Sequence, residues 1–135
     1  MKFHLSLFVL IMAICTGCGS KREYFNAEEL YGSYLAHYAD DTDKLEINAD
    51  GTYIHKFREE NEVKEEKGAW KFVETPSDSV IEIDVVFYNF KFRAMKGISS
   101  SRGDWFTLAV KTSKNKEPNI HLCFQTELHL CFVKE

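Results

Sequence analysis

Two copies of one short motif near the C-terminus hold the side chains best suited to chemistry in this sequence. His121-Leu122-Cys123-Phe124 recurs as His129-Leu130-Cys131-Phe132. Because side chains alternate along a strand, each copy places its His and Cys on one face and its Leu and Phe on the other. Matching the apolar rows across a hairpin sets Cys123 opposite Cys131.

Three interpretations fit this pair of cysteines flanked by histidines. The thiols form a disulfide across the hairpin, whose short loop puts its stabilisation at the low end of about 0–5 kcal/mol. Alternatively, both thiols stay free and partly buried. In the third interpretation, two His and two Cys side chains bind zinc or copper, which accept nitrogen and sulfur ligands. A flat pleated face does not ensure that ligands converge tetrahedrally, so we expect no metal and no cofactor here.

No other cluster of polar residues forms a catalytic set. His37 and His55 fall among aromatic residues of the first strands, where a single His usually packs rather than reacts. The acidic runs 40–43 and 59–62 offer oxygen ligands without the fixed spacing of a calcium loop, so we interpret them as solvated turns. The serines at 99–101 lack the surroundings of a nucleophile elbow. We therefore predict that the protein is not an enzyme.

The N-terminus has the parts of a bacterial secretion signal. Lys2 precedes an apolar run, Leu5 to Ile14, which is shorter than the roughly 20 residues needed to span a bilayer as a helix. Residues 14–18 resemble the lipobox of bacterial lipoproteins, in which a small residue, here Gly17, precedes a cysteine that is diacylated before cleavage. The resemblance implies that residues 1–17 are removed and that Cys18 becomes a lipid-bearing N-terminus.

Two neighbouring residues refine this prediction. Cys15 stands where the lipobox usually has an aliphatic residue, and it is lost with the signal. Gly19 rather than Asp follows Cys18, which resembles the sorting pattern for the outer membrane. Residues 18–25 then form a tether for a domain that faces the periplasm, held by acyl chains that together anchor firmly. Such an oxidising compartment favours the disulfide between Cys123 and Cys131.

The composition indicates one globular domain, which we place at residues 26–135. The chain has 135 residues, of which 44% are hydrophobic and 14% aromatic. Its formal net charge of −4 argues against a nucleic-acid partner, which requires a basic surface. It argues equally against a polybasic contact with anionic lipid, so we expect membrane contact only through the N-terminal lipid.

Hydrophobic alternation predicts an all-β domain of about eight to nine short strands, typical of a sandwich or barrel built from hairpins. Asn26 and Glu29 form a capping box for a short helix at 26–30, and Asp50-Gly51 indicates a tight hairpin turn. The predicted strands cover residues 33–38, 44–48, 52–58, 63–73, 80–92 (as one or two strands), 105–111, 119–125 and 128–134.

Part of this pattern resembles lipocalin-like barrels. A short helix leads into Gly32-Ser33-Tyr34, residues 45–53 read Leu-x-Ile-x-x-Asp-Gly-Thr-Tyr, and Gly68-x-Trp70 follows. The resemblance covers residues 26–73, although lipocalins usually have Trp where Tyr34 stands. It implies an antiparallel meander that closes into a small lipocalin-like barrel.

Two functions fit such a domain. In the first, the barrel forms a calyx that holds a small apolar ligand, or serves as an accessory factor in the envelope. In the second, the domain is a protein-interaction module at the membrane surface, such as an inhibitor or an immunity protein. The predicted lining of the calyx is aromatic: Tyr34, Tyr53, Phe57, Trp70 and Trp105.

Overall fold

A computed structural model describes residues 25–38, 41–76, 81–92, 103–112, 120–124 and 130–135. Its strands form one closed antiparallel barrel in which each strand is bonded to the next in sequence and the eighth to the first. The predicted meander closing into a small barrel is confirmed. Within the described ranges, no helix is long and apolar enough to cross a membrane. The strands are β1 Gly32–Tyr38, β2 Asp41–Ile47, β3 Thr52–Glu59, β4 Glu62–Pro76, β5 Ile81–Tyr88, β6 Trp105–Thr112, β7 Ile120–Phe124 and β8 Leu130–Lys134.

The segment predicted as an N-terminal helix forms a single 3₁₀ turn, Ala27–Leu30, so the helix is not confirmed. The Asn26 side chain caps this turn, and the Glu29 carboxylate accepts a hydrogen bond from the Asn26 backbone N–H at 3.3 Å. The Tyr34 hydroxyl donates to the Leu30 carbonyl at 2.7 Å, and the Lys134 ammonium donates to the Glu29 carbonyl. The turn is thereby bonded to strands β1 and β8.

Two hairpin turns follow the local sequence. At the β2–β3 turn, Gly51 has a φ of 83°, and the Asp50 carboxylate accepts a hydrogen bond from the Thr52 N–H at 3.0 Å. At the β3–β4 turn, Glu60 and Asn61 have φ values of 52° and 69°. Two successive positive φ angles suit the twist of a two-residue hairpin. Both turns lie where the sequence predicts them.

The acidic run at 40–43 is not the solvated turn that we expected. Asp41 is the first residue of β2, and Asp43 is completely buried. The alternation that turns Leu45 and Ile47 inward continues back to Asp43, which lies opposite the buried Ala36 of β1. Because side chains alternate between the two faces of a strand, the Asp43 carboxylate points into the barrel.

The barrel interior is filled mainly by aromatic and aliphatic side chains. Gly68 of β4 makes room for one of them, because a Cβ at this position would lie 2.7 Å from the Tyr53 ring and 2.6 Å from the Tyr88 carbonyl. The core cluster comprises Leu30, Tyr34, Ala36, Leu45, Ile47, Tyr53, Trp70, Val85, Phe87, Phe90, Phe92, Leu108, Ile120, Leu122 and Phe132.

Residues 89–92, which we call the strap, leave the sheet after β5 and pack inside the barrel. Asn89 has a φ of 59°, and its backbone N–H donates to the Asp104 carbonyl at 2.9 Å. This left-handed residue ends β5 at Tyr88, so the strand predicted through residue 92 was too long. Phe90 and Phe92 are 0% and 1% exposed.

Candidate functional site

A polar pair lies in the otherwise apolar interior. Asp43 and His55 are each 0% exposed, and the Asp43 Oδ2 atom lies 3.2 Å from the His55 Nε2 atom. An ionised carboxylate only accepts hydrogen bonds, so the His55 Nε2–H donates to it. In a neutral ring the Nδ1 atom is then an acceptor, and it is buried without a hydrogen-bond partner among the described residues.

Aromatic rings surround the His55 imidazole. Phe57 lies 4.9 Å away between ring centroids, Phe90 stacks on the imidazole at 4.8 Å and 25°, and Phe132 meets it edge-on at 5.8 Å. Rings offer almost nothing to a hydrogen-bond acceptor, and an unpaired buried polar atom costs about 1–3 kcal/mol. The Nδ1 atom of His55 therefore marks a position where a hydrogen-bond donor would stabilise the barrel.

A second unpaired acceptor lies on β4, the strand paired with β3. Glu66 of β4 lies directly opposite His55 of β3, and cross-strand neighbours on one face have Cβ atoms about 4.5–5.5 Å apart. The Glu66 Oε2 atom is buried and has no hydrogen-bond partner in the part of the chain that the structure describes. Burial raises the pKa of the Tyr53 hydroxyl, and the negative charge of Glu66 raises it further. This hydroxyl donates a hydrogen bond to the Tyr88 carbonyl at 2.8 Å.

We call Asp43, His55 and Glu66 the interior polar group. The sequence pattern predicts His55 as a packing residue and Asp43 in a turn, and it does not single out Glu66. A signal was available, because Asp43 continues the alternation of Leu45, and Glu66 continues that of Trp70. Only the pairing of neighbouring strands shows that both carboxylates point to the inside.

Four of the five predicted calyx residues are buried, and three of them, Tyr34, Tyr53 and Trp70, belong to the core cluster. Tyr34, Tyr53 and Phe57 are at most 2% exposed, and burial raises the pKa of the Tyr34 hydroxyl. Trp70 is 9% exposed, and its indole N–H donates to the Asn48 carbonyl at 2.9 Å. Trp105 does not join them, because it is 49% exposed.

The strap occupies the space that the calyx hypothesis reserves for a ligand. Phe90 contacts rings of β3, β5, β6 and β8, and Phe92 packs between Phe106 and Phe124 at centroid distances of 5.5 Å and 5.4 Å. The barrel wall itself consists of the bonded strands. The interior is thus filled by a segment that is not part of the wall.

An ion pair network holds the strap to the β3–β4 hairpin. The Glu59 carboxylate lies 2.6 Å from the Lys91 ammonium of the strap and 2.5 Å from the Lys64 ammonium. These two hydrogen bonds lower the pKa of Glu59 to about 2. The Lys91 ammonium also lies 5.6 Å from the centre of the Phe57 ring. All three charged side chains remain about one third or more exposed to solvent.

Trp105 belongs to an aromatic patch on the outer face of β4, β5 and β6. Tyr88 is its register partner, and the two rings lie 5.1 Å apart. The Lys71 ammonium lies 4.5 Å from the centre of the Trp105 ring, within the range of a cation–π interaction. We call Lys71, Tyr88 and Trp105 the outer patch.

Cys123 and Cys131 lie opposite each other in the β7–β8 register and form a disulfide, as the leading interpretation predicts. Cys123 is 5% exposed. The side-chain ligand atoms of His121 and of both cysteines lie within 4.8 Å of one another. The two sulfurs are bonded to each other, so they are not thiolate ligands, and the third interpretation would require a reduced pair.

Several predicted features lie outside the described residues: the signal at 1–17, the lipid attachment at Cys18, the tether up to residue 24, the serines at 99–101 and His129. They stay predictions. Comparison with protein-family models, with characterised proteins and with solved structures gave no match to this chain.

Proposed function

We propose that this protein is a lipid-anchored envelope lipoprotein whose barrel binds a small ligand with an apolar body. The observation that carries the proposal is the pair of unpaired buried acceptors, His55 Nδ1 and Glu66 Oε2, inside an aromatic barrel. Native proteins pair the large majority of buried polar atoms, and the exceptions often mark functional sites or bound water. An aromatic interior with a few convergent polar groups is also the usual composition of a small-molecule site.

In this proposal, the ligand enters the barrel by displacing the strap. Burial of one Phe side chain contributes about 1.5–3 kcal/mol, so Phe90 and Phe92 together hold the strap with about 3–6 kcal/mol. An apolar ligand that takes their place regains similar burial. The wall remains closed throughout, because the strap contributes no strand to the sheet.

Binding of the neutral fluorophore N-phenyl-1-naphthylamine to the purified mature domain tests this proposal. Replacing Phe90 with Ala removes about 1.5–3 kcal/mol of competing burial, which corresponds to a roughly 10- to 100-fold gain in apparent affinity. Trp105→Ala is the matched control, because it removes an aromatic side chain from the outer face, and it should bind the fluorophore as the wild type does. Equal or absent binding in Phe90→Ala and wild type would contradict a ligand site under the strap.

The anchor is tested separately by labelling cells with radioactive palmitate. In the proposal, Cys18 carries the lipid and Cys15 is removed with the signal, so Cys18→Ser abolishes the label and Cys15→Ser retains it. Labelled wild-type protein should fractionate with the outer membrane. Label that persists in Cys18→Ser would refute the assignment of the anchor and leave the ligand site unaffected.

The outer patch favours a second function, that of a protein-interaction module at the membrane surface. Trp and Tyr are enriched among residues that dominate binding energy at protein interfaces, and a basic side chain lies over the Trp105 ring. A photocrosslinking amino acid at position 105 should capture one discrete envelope partner. The same group at Arg58, which is also exposed but lies on β3 outside the outer patch, is the control for capture by proximity alone. Identical patterns at both positions would argue against a specific interface at Trp105.

A further inference from the structure

We infer that the interior polar group recognises a primary amine, and that the flat body of the same molecule takes the place of the Phe90 ring. The inference rests on the proposed ligand-binding function, and it adds the chemical class of the ligand. It follows from three properties of the interior: its unpaired atoms, its charge and the shape of the surface around His55.

The unpaired atoms require a head group with more than one donor. When the His55 Nε2–H donates to Asp43, the Nδ1 atom of the neutral ring is an acceptor, as is the Glu66 Oε2 atom, and both atoms are buried. A carboxylate, ketone or ether offers no hydrogen to either of them. A primary ammonium has three N–H donors on one atom, so one group inside the barrel can donate to both acceptors.

The charge of the interior favours a cation over a neutral donor. Two of the three members of the interior polar group are carboxylic acids, and the buried Glu66 Oε2 atom has no hydrogen-bond partner within the described ranges. An ammonium gains more from a carboxylate oxygen than a neutral hydroxyl does, because it adds a Coulomb attraction that is stronger in a protein interior than in water. A hydroxyl or amide would satisfy the same acceptors but leave the charge of Glu66 unmatched.

The surface beside His55 fits a flat ring. Phe57 and Phe90 lie on the imidazole at centroid distances of 4.9 Å and 4.8 Å. The strap itself already brings an ammonium next to these rings, because Lys91 Nζ lies 5.6 Å from the Phe57 centroid. A cation beside aromatic faces is stabilised by the ring quadrupole. An aromatic amine therefore offers the barrel the two chemical groups that the strap supplies, an aromatic ring and an ammonium.

Calorimetric titration with 2-phenylethylamine and its uncharged analogue 2-phenylethanol tests the inference. We expect the Phe90→Ala domain to bind the amine at least 10-fold more tightly than the alcohol. Adding Glu66→Gln should bring that ratio close to one, because the amide keeps an acceptor oxygen and loses the charge. Glu65→Gln is the matched control, since Glu65 is the exposed neighbour on the other face of β4, and it should leave the ratio unchanged. If Phe90→Ala does not fold, Phe90→Leu replaces it.

The outcomes separate the inference from the function on which it rests. Equal affinity for the amine and the alcohol, or a ratio that survives Glu66→Gln, overturns the amine assignment and leaves a ligand-binding barrel. Preference for 3-phenylpropionate overturns it as well. Absence of binding by both probes, together with no binding of N-phenyl-1-naphthylamine, refutes the amine assignment and the proposed function together.

Discussion

Removing the carboxylate of Asp43 should destabilise the domain far more than an average surface substitution. Asp43 and His55 are each 0% exposed, and Asp43 Oδ2 lies 3.2 Å from His55 Nε2. Asp43→Ala removes this partner of Nε2, so neither ring nitrogen then has a hydrogen-bond partner among the described residues. Leaving a buried donor without its acceptor costs about 1–3 kcal/mol, and more where the lost partner was charged. That is a large share of the roughly 5–15 kcal/mol by which small domains are stable.

Equilibrium unfolding in urea, with the disulfide intact, measures this loss. For an m-value of about 1.5 kcal/mol/M, a loss of 3 kcal/mol lowers the midpoint by about 2 M. His55→Leu removes the Nε2–H donor from the buried Asp43 carboxylate and should cost a similar amount. The double variant Asp43→Ala/His55→Leu removes both polar groups and should cost about 2–3 kcal/mol less than the sum of the two single losses.

The double-variant comparison decides whether the pair is coupled. Additive losses within about 0.5 kcal/mol would refute the reasoning, because they would mean that neither group depends on the other. A loss below about 1 kcal/mol in Asp43→Ala would refute it too. Asp43→Asn, which keeps an acceptor oxygen, should lose less than Asp43→Ala and serves as the folded substitute if the alanine variant does not fold.

Three further predictions concern the interior, the disulfide and the strap. Gly68→Ala should lower the free energy of unfolding by about 1–3 kcal/mol, because its Cβ would overlap the Tyr53 ring, and an unchanged melting temperature would contradict this. Replacing Cys123 and Cys131 by Ser should cost about 2.5 kcal/mol for a loop of this length; equal unfolding midpoints of wild type and double variant under oxidising conditions would contradict it. In the folded protein the pKa of Glu59 is lowered to about 2, from about 4.3 in an unfolded chain. Its ion pairs therefore stabilise the fold fully above about pH 4.3, and this stabilisation is lost progressively as the pH falls toward 2. The stability difference between wild type and Glu59→Gln should therefore shrink over that range, and a constant difference would disprove the assignment.

The sequence by itself determined the local structure of this domain. Alternation of polar and apolar side chains located the strands, and Asp50-Gly51 marked one of the turns, because both signals depend only on neighbours along the chain. The repeat around Cys123 and Cys131 was informative for the same reason. A hairpin pairs residues close in sequence, so matching two apolar rows was enough to predict the register that the disulfide confirms.

Tertiary structure decided which face of each strand is the inside, and therefore the site. At β6, Trp105 and Phe106 are adjacent and both aromatic, and Phe106 shares its face with Leu108 and Val110. Pairing with β5 turns that face inward and leaves Trp105, which we predicted in the lining, exposed. Pairing with β1 and closure of the barrel bury Asp43. Along the strap, alternation continues as though β5 did, yet the left-handed Asn89 redirects the chain into the barrel. The strand period tells which residues share a face, but only closure of the sheet tells which face is the interior.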